Sequence, residues 1–306
     1  MAVFFFRRLP GMILVLLCVV TATFFLMRLK PGNPFDAERK LPPNIEAELN
    51  KKYNRSGTPW EQYTRYMGNL LRGDLGPSIK YKSLTVNEIL AQTLPISFML
   101  GSIALVIAAT LGVWLGTMAA VHKHTWVDLG AMLAALAAIS IPSFITGPLL
   151  ALVFALWLKW LPVGGLDSPF SLVLPAICLA LPYTAYIARL QRTSMLETLG
   201  EDFVRTARAK GLEENSVIYK HALKVAILPV VSYLGPLAAN LMTGSIVVEM
   251  IFGLPGAGRF FILSILNSDD FLLIGVVIVY CALVVFFNLL VDQVYTLLDK
   301  RIKLGT

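Results

Sequence analysis

RLQRTSMLETLGEDFVRTARAKGLEENSVIYKHALKVAIL, from Arg189 to Leu228, is a polar stretch set between two strongly apolar ones. A segment so flanked is a loop outside the lipid, and its internal pattern is that of a built element. Glu201 and Asp202 open a short helix, Arg205, Arg208 and Lys210 close it, and Gly211 stands just past its last turn. Acids first, bases last and a glycine exit suit the helix dipole and a left-handed C-terminal residue. Phe203 and Ala207 fall four apart and are expected to share a narrow apolar edge. Asn215 or Ser216 is placed to cap a second helix, in which Val217, Ile218, His221, Ala222 and Val225 line one side at helical spacing. Two short amphipathic helices joined at a glycine make a docking knob. A solvated basic loop that follows the topology bias of membrane proteins fits the same pattern.

Outward from this loop the chain is apolar. Of 306 residues, 57% are hydrophobic and only 15% charged, the balance of an all-α polytopic membrane protein. The net charge of +7 would suggest nucleic acid in a soluble protein, but basic inner loops account for it here. Cys18, Cys178 and Cys281 lie inside apolar runs at no metal-ligand spacing, so neither a disulfide framework nor a zinc site is implied. His122, His124 and His221 are scattered loop residues with no third ligand at a telling interval. No GxxxxGK[ST] phosphate loop occurs, so no nucleotide hydrolysis is expected of the chain itself.

Six spans are expected. The first runs from Leu9 to Met27 after Arg7 and Arg8, and it is read as a retained span because no small-residue cleavage site follows. Residues 31–93 form an extracytoplasmic unit with short helices at Asn44–Tyr53 and Glu61–Leu71, too rich in aromatics for a disordered linker. Residues 94–306 hold five further spans, near Pro95–Ala120, Leu129–Leu158, Leu172–Ala188, Pro229–Phe252 and Phe271–Leu298. The second of these is too long for a hydrocarbon core of about 30 Å unless bent, and Pro142 and Pro148 supply the bend. Arginine and lysine in short loops, Arg7, Arg8, Lys123, Arg189 and Arg192 among them, crowd the side shared by both termini and the 189–228 loop. That side is therefore expected to be cytoplasmic.

Polar residues within the spans need a reason. Glu249 precedes the helix-breaking turn Gly253-Leu254-Pro255-Gly256-Ala257-Gly258. It is either a polar group at the outer mouth of a pathway or a structural acid holding that turn's amides. Ser143, Thr146, Asn240 and Thr243 either line a wet pathway or bond neighbouring helices. Asn288 and Asp292, four apart on the last span, are expected to be structural. The small-residue run Gly101–Gly116 lets helices approach closely. Catalytic and metal sites are expected to be absent.

The run Arg205 to Gly211, followed by His221-Ala222-Leu223 and Leu228-Pro229, resembles the cytoplasmic coupling loop of ABC-importer permeases, in the form found in peptide and nickel importers. Arg205 stands where the general pattern has glutamate, and Lys224 where many members have proline. Leu29-Lys30-Pro31-Gly32-Asn33-Pro34-Phe35 and Gly73-Asp74-Leu75-Gly76-Pro77-Ser78 are similar to the B-type permease of oligopeptide importers. The resemblance implies a type I permease fold in the bacterial inner membrane, with a coupling helix at Glu201, Asp202, Phe203, Arg205, Thr206, Ala207, Arg208, Ala209, Lys210 and Gly211, and with His221 in the same contact. It also implies a homologous second permease, two ATPase subunits that bind ATP and Mg, an extracytoplasmic peptide-binding protein and a peptide substrate, with no cofactor on this chain. Dipeptide or nickel import remains within the same family. A gradient-driven transporter is the rival of another class; it would ordinarily need coupling ionisables deep in the spans, and Glu249 and Asp292 lie toward opposite ends.

Overall fold

The computed structural model describes residues 2–29, 42–53 and 55–298. Among them helices make up nearly all regular structure, and the strand-like element is an isolated bridge between Pro77 and Thr85. The α-helices are α1 (Ala2–Leu29), α2 (Pro43–Lys52), α3 (Pro59–Leu70), α4 (Val86–Val121), α5 (Trp126–Ser140), α6 (Ser143–Leu150), α7 (Val173–Leu199), α8 (Asp202–Ala209), α9 (Glu214–Ser216), α10 (Leu223–Ala226), α11 (Leu228–Met242), α12 (Ile246–Ile251), α13 (Gly258–Leu266) and α14 (Asp270–Leu298). Four helices are long and apolar enough to cross a membrane, and the number rises to six if two bent pairs each form one span.

One span starts earlier than expected and one bends where expected, each for an identifiable reason. α4 begins at Val86 and carries Pro95 inside it. Its entry is fixed by a reciprocal cap, in which the Glu88 carboxylate accepts from the Thr85 N–H at 2.7 Å and the Thr85 hydroxyl accepts from the Glu88 N–H at 3.2 Å. The long passage after it bends by 108° between α5 and α6. Pro142 has no N–H and holds Ile141 in extended geometry (φ −91°, ψ 116°), so the bend falls there. Pro148 lies within α6, and the chain then runs on as a π-helix over Ala151–Trp157.

The chain forms two units, Met1–Ser97 with Pro255–Val285, and Phe98–Leu254 with Phe286–Thr306. In the first unit, residues of α1, residues from 49 to 94 and residues from 260 to 280 share one core. In this first unit Phe24, Tyr66, Val86, Phe260, Phe271 and Ile274 are buried together. Asp269 organises it. One carboxylate oxygen accepts from the Ser78 hydroxyl and from the N–H groups of Ile79 (2.9 Å) and Lys80 (3.1 Å), and the other accepts from the Leu272 N–H (3.2 Å) at the start of α14. Asp270 beside it pairs with both Arg28 and Arg55. Burial pushes the Tyr66 phenol well above its ordinary range, so it stays neutral.

α7 is the axis of the second unit. In its most apolar stretch 61% of residues are buried. α4 lies close against it through glycines: a Cβ on Gly112 would stand 2.6 Å from the Ile187 side chain, and one on Gly116 would fall on the Ala188 carbonyl. Gly101, on the same face, likewise meets the Leu241 carbonyl of α11. The expected small-residue approach is therefore real, and it brings backbones together as in other membrane bundles.

Candidate functional site

α8 ends in a Schellman motif. The Gly211 N–H donates to the Arg208 carbonyl (2.9 Å), the Leu212 N–H donates to that of Ala207 (3.4 Å), and Gly211 adopts φ +77°. After the turn α9, a π-helical segment Val217–Ala222 and α10 lead into α11. The Arg208 guanidinium spans the turn to the Glu214 carboxylate by two bonds, 3.1 and 2.7 Å, which raises the arginine's affinity for its proton. Both side chains are exposed, so the pair shapes the turn more than it stabilises it.

Beneath the knob is a small core of its own: Val204, Ala207, Val217, Ile218, Ala222 and Ala226 pack with Met195 of α7 and Ala120 of α4. This corrects three expectations. The buried edge of α8 is Val204 with Ala207, while Phe203 is 42% exposed. In the returning segment His221 and Val225 face out, and Ala226 completes the buried face. Neither Asn215 nor Ser216 caps the second helix, because α9 starts at Glu214 and its N-cap is Glu213. The outer surface therefore presents Glu201, Asp202, Phe203, Arg205, Thr206, Arg208, Ala209 and Lys210, with Leu212 and Tyr219 beyond the turn. Apolar tips among arginines and lysines, on a rigid base, form a surface able to enter a cleft in another protein.

Of the other singled-out residues, Ser143, Thr146 and Asn240 bond to α7. The Thr146 hydroxyl lies 3.6 Å from Cys178 Sγ, which in turn donates to the Ser143 carbonyl (3.7 Å), joining α6 to α7. The Asn240 amide donates to the Tyr183 hydroxyl (3.1 Å), joining α11 to α7, and the Thr243 hydroxyl turns back to the Asn240 carbonyl (2.8 Å). Glu249 is almost wholly buried on α12, whose neighbour Ile251 meets Gly147 of α6. Asn288 is half-buried, and the Asp292 side chain lies outside the described residues. Among the described residues no group of histidine, cysteine, aspartate or glutamate is arranged to hold a metal.

The carboxylates that do most in the structure are silent in the sequence. Asp128 binds Arg192 of α7 through both oxygens, at 2.6 and 2.7 Å, and Asp269 and Asp270 hold the first unit together. Their one signal is an acid in the first turn of a long apolar helix, which demands a partner but does not name it.

Residues 112–304 match the family model described as binding-protein-dependent transport system inner membrane component. The chain belongs to this family. As a member of it, this protein is a multi-pass permease subunit of the inner membrane. It is 42% identical over 98% of its length to the oligopeptide transport system permease protein OppB of Haemophilus influenzae, covering 99% of that protein. It is 41% identical over 99% of its length to the dipeptide transport system permease protein DppB of Bacillus subtilis, covering 99% of that protein. A chain of the inward-facing MetNI methionine ABC transporter superposes with a TM-score of 0.55 at 14% identity, over 69% of this permease and 96% of that chain. At that identity the likeness speaks to fold, and the fold is the all-α, type I permease fold expected.

Proposed function

We propose that this permease is one membrane half of an ATP-driven importer of oligopeptides. A homologous second permease completes the pathway. Two ATP-binding cassette subunits bind ATP with Mg and hydrolyse it, and an extracytoplasmic binding protein delivers the peptide. This chain performs no bond chemistry. The observation that carries the reading is the seat of the knob: its buried face rests on Met195 and Ala120, near the ends of α7 and α4. A push on the exposed face of α8 is thus delivered to membrane helices and is not lost in a tether. The crowding of arginine and lysine in short loops supports a cytoplasmic knob and cytoplasmic termini, with ATPase subunits meeting Phe203, Arg205 and Arg208.

The conduit is weakly polar. Ser143, Thr146 and Asn240 keep part of their surface open and carry no fixed charge, which suits passage of varied side chains and quick release, while Thr243 is buried and steadies α11. Selection then falls mainly on the binding protein. A dipeptide cargo is the second reading, favoured by the B. subtilis relative at nearly equal identity. Reconstitution of the four membrane-associated subunits in vesicles with a binding protein separates these possibilities. Uptake of a pentapeptide that needs both ATP and the binding protein is expected; uptake of a dipeptide alone would assign the shorter cargo. Gradient-driven uptake by this chain by itself, indifferent to nucleotide, would remove the importer reading.

A further inference from the structure

Asp128 stands in the first turn of α5, and its carboxylate accepts from Nε–H (2.6 Å) and Nη2–H (2.7 Å) of Arg192 on α7. The same carboxylate accepts from the N–H of His124 (3.1 Å). His124 has φ 64°, a conformation that a side chain disfavours, so the acid also fixes the turn that carries α4 into α5. The pair is partly shielded from water, with side-chain exposures of 8% for Asp128 and 24% for Arg192. A two-bond guanidinium–carboxylate link in such surroundings resists rotation as well as separation.

Its position connects two things already described. Three residues beyond Arg192 on α7 is Met195, buried beneath the knob. At the far end of α5 is the 108° bend at Pro142, followed by α6, which α7 holds again through Cys178, Ser143 and Thr146. α7 therefore grips the α5–α6 hairpin at two points, one next to the knob and one among the candidate pathway residues. An open cavity of about 790 Å³ lies beside the ion pair, bordered by Trp126, Leu129 and Met132 of α5.

We propose that the Asp128–Arg192 pair is a strut that transmits knob motion to the α5–α6 hairpin, which makes both residues positioning residues for transport; this rests on the importer reading above. A purely cohesive contact would be served as well by apolar side chains, which hold helices together without setting their relative rotation.

The test uses the whole importer in vesicles. Wild-type complex is measured first for basal ATP hydrolysis, for its stimulation by peptide-loaded binding protein, and for peptide taken up per ATP; no stimulation at this stage would count against the importer reading and not against the strut. Asp128→Asn and Arg192→Gln are each expected to keep basal hydrolysis within about twofold while stimulation and uptake per ATP fall about tenfold. The double replacement should be no worse than either single one, and Arg192→Lys, which keeps the charge and leaves the Asp128–His124 bond in place but lacks the two-bond fork, should assemble with coupling reduced. Wild-type coupling in Asp128→Asn, or additive losses in the double variant, overturns the proposal. If Asp128→Asn and Arg192→Gln fail to assemble, Arg192→Lys decides: assembly with reduced stimulation and uptake per ATP supports the strut, whereas assembly with wild-type coupling, or no assembly, overturns it.

Discussion

Gly211 and Gly116 are both required, for opposite reasons. Around Gly211 a Cβ would meet nothing, so any penalty comes from φ +77° alone; Gly211→Val should cost the turn about 1–2 kcal/mol, and Gly211→Asn should cost much less. Amide hydrogen exchange over residues 204–212 reports this directly, and equal protection in the valine variant would contradict it. Around Gly116 the obstacle is the backbone of α7, so Gly116→Leu overpacks the contact by about 1–3 kcal/mol and should lower the melting temperature of the purified complex. Asp270→Asn leaves Arg28 and Arg55 facing each other without their acid. Breaking a buried pair in this way costs about 3–5 kcal/mol, which limited proteolysis of the first unit should register. The role of Gly211 is legible in the sequence because a glycine directly after a basic last turn is the usual left-handed helix exit. Those of Asp128 and Asp270 are not, because a single acid carries no information about an arginine 64 or 242 positions away.

At the scale of the element, the sequence pattern locates α8 and its glycine exit but turns its face the wrong way. Phe203 is the larger apolar group, so spacing and size assign it to the seat. The seat against Met195 and Val217 takes Val204 instead, and the phenylalanine is left for a partner. Phe203→Ala should therefore leave this chain folded while reducing the amount of ATPase subunit that co-purifies with it. Val204→Asp should unseat the knob and abolish co-purification altogether. Equal recovery of ATPase in both variants would show that the exposed face of α8 is not the contact. The bend at Pro142 is legible from its imino acid. The extent of α4 is not, because its cap, Thr85 with Glu88, sits in polar sequence that hydropathy assigns to a loop.

For the whole molecule, the apolar runs locate the four long helices and the bent pair at Pro142, whereas the expected passage Pro229–Phe252 is divided into α11 (Leu228–Met242) and α12 (Ile246–Ile251). The grouping of those spans into two units lies beyond the sequence, since it depends on which distant segments pair. Sidedness is open to a direct check. Lys82→Cys should react with a membrane-impermeant maleimide on intact cells, and Lys210→Cys only after permeabilisation; the reverse pattern would invert the orientation. The first unit is closed by residues from the far end of the chain, because Ser78, Ile79 and Lys80 obtain their acceptor from Asp269, and Arg28 and Arg55 obtain theirs from Asp270. During synthesis those donors emerge long before the two aspartates. Until Asp270 has left the ribosome, Arg28 and Arg55 lack the acid that pairs them in the folded unit, so this unit can close only after the start of the last helix has been made.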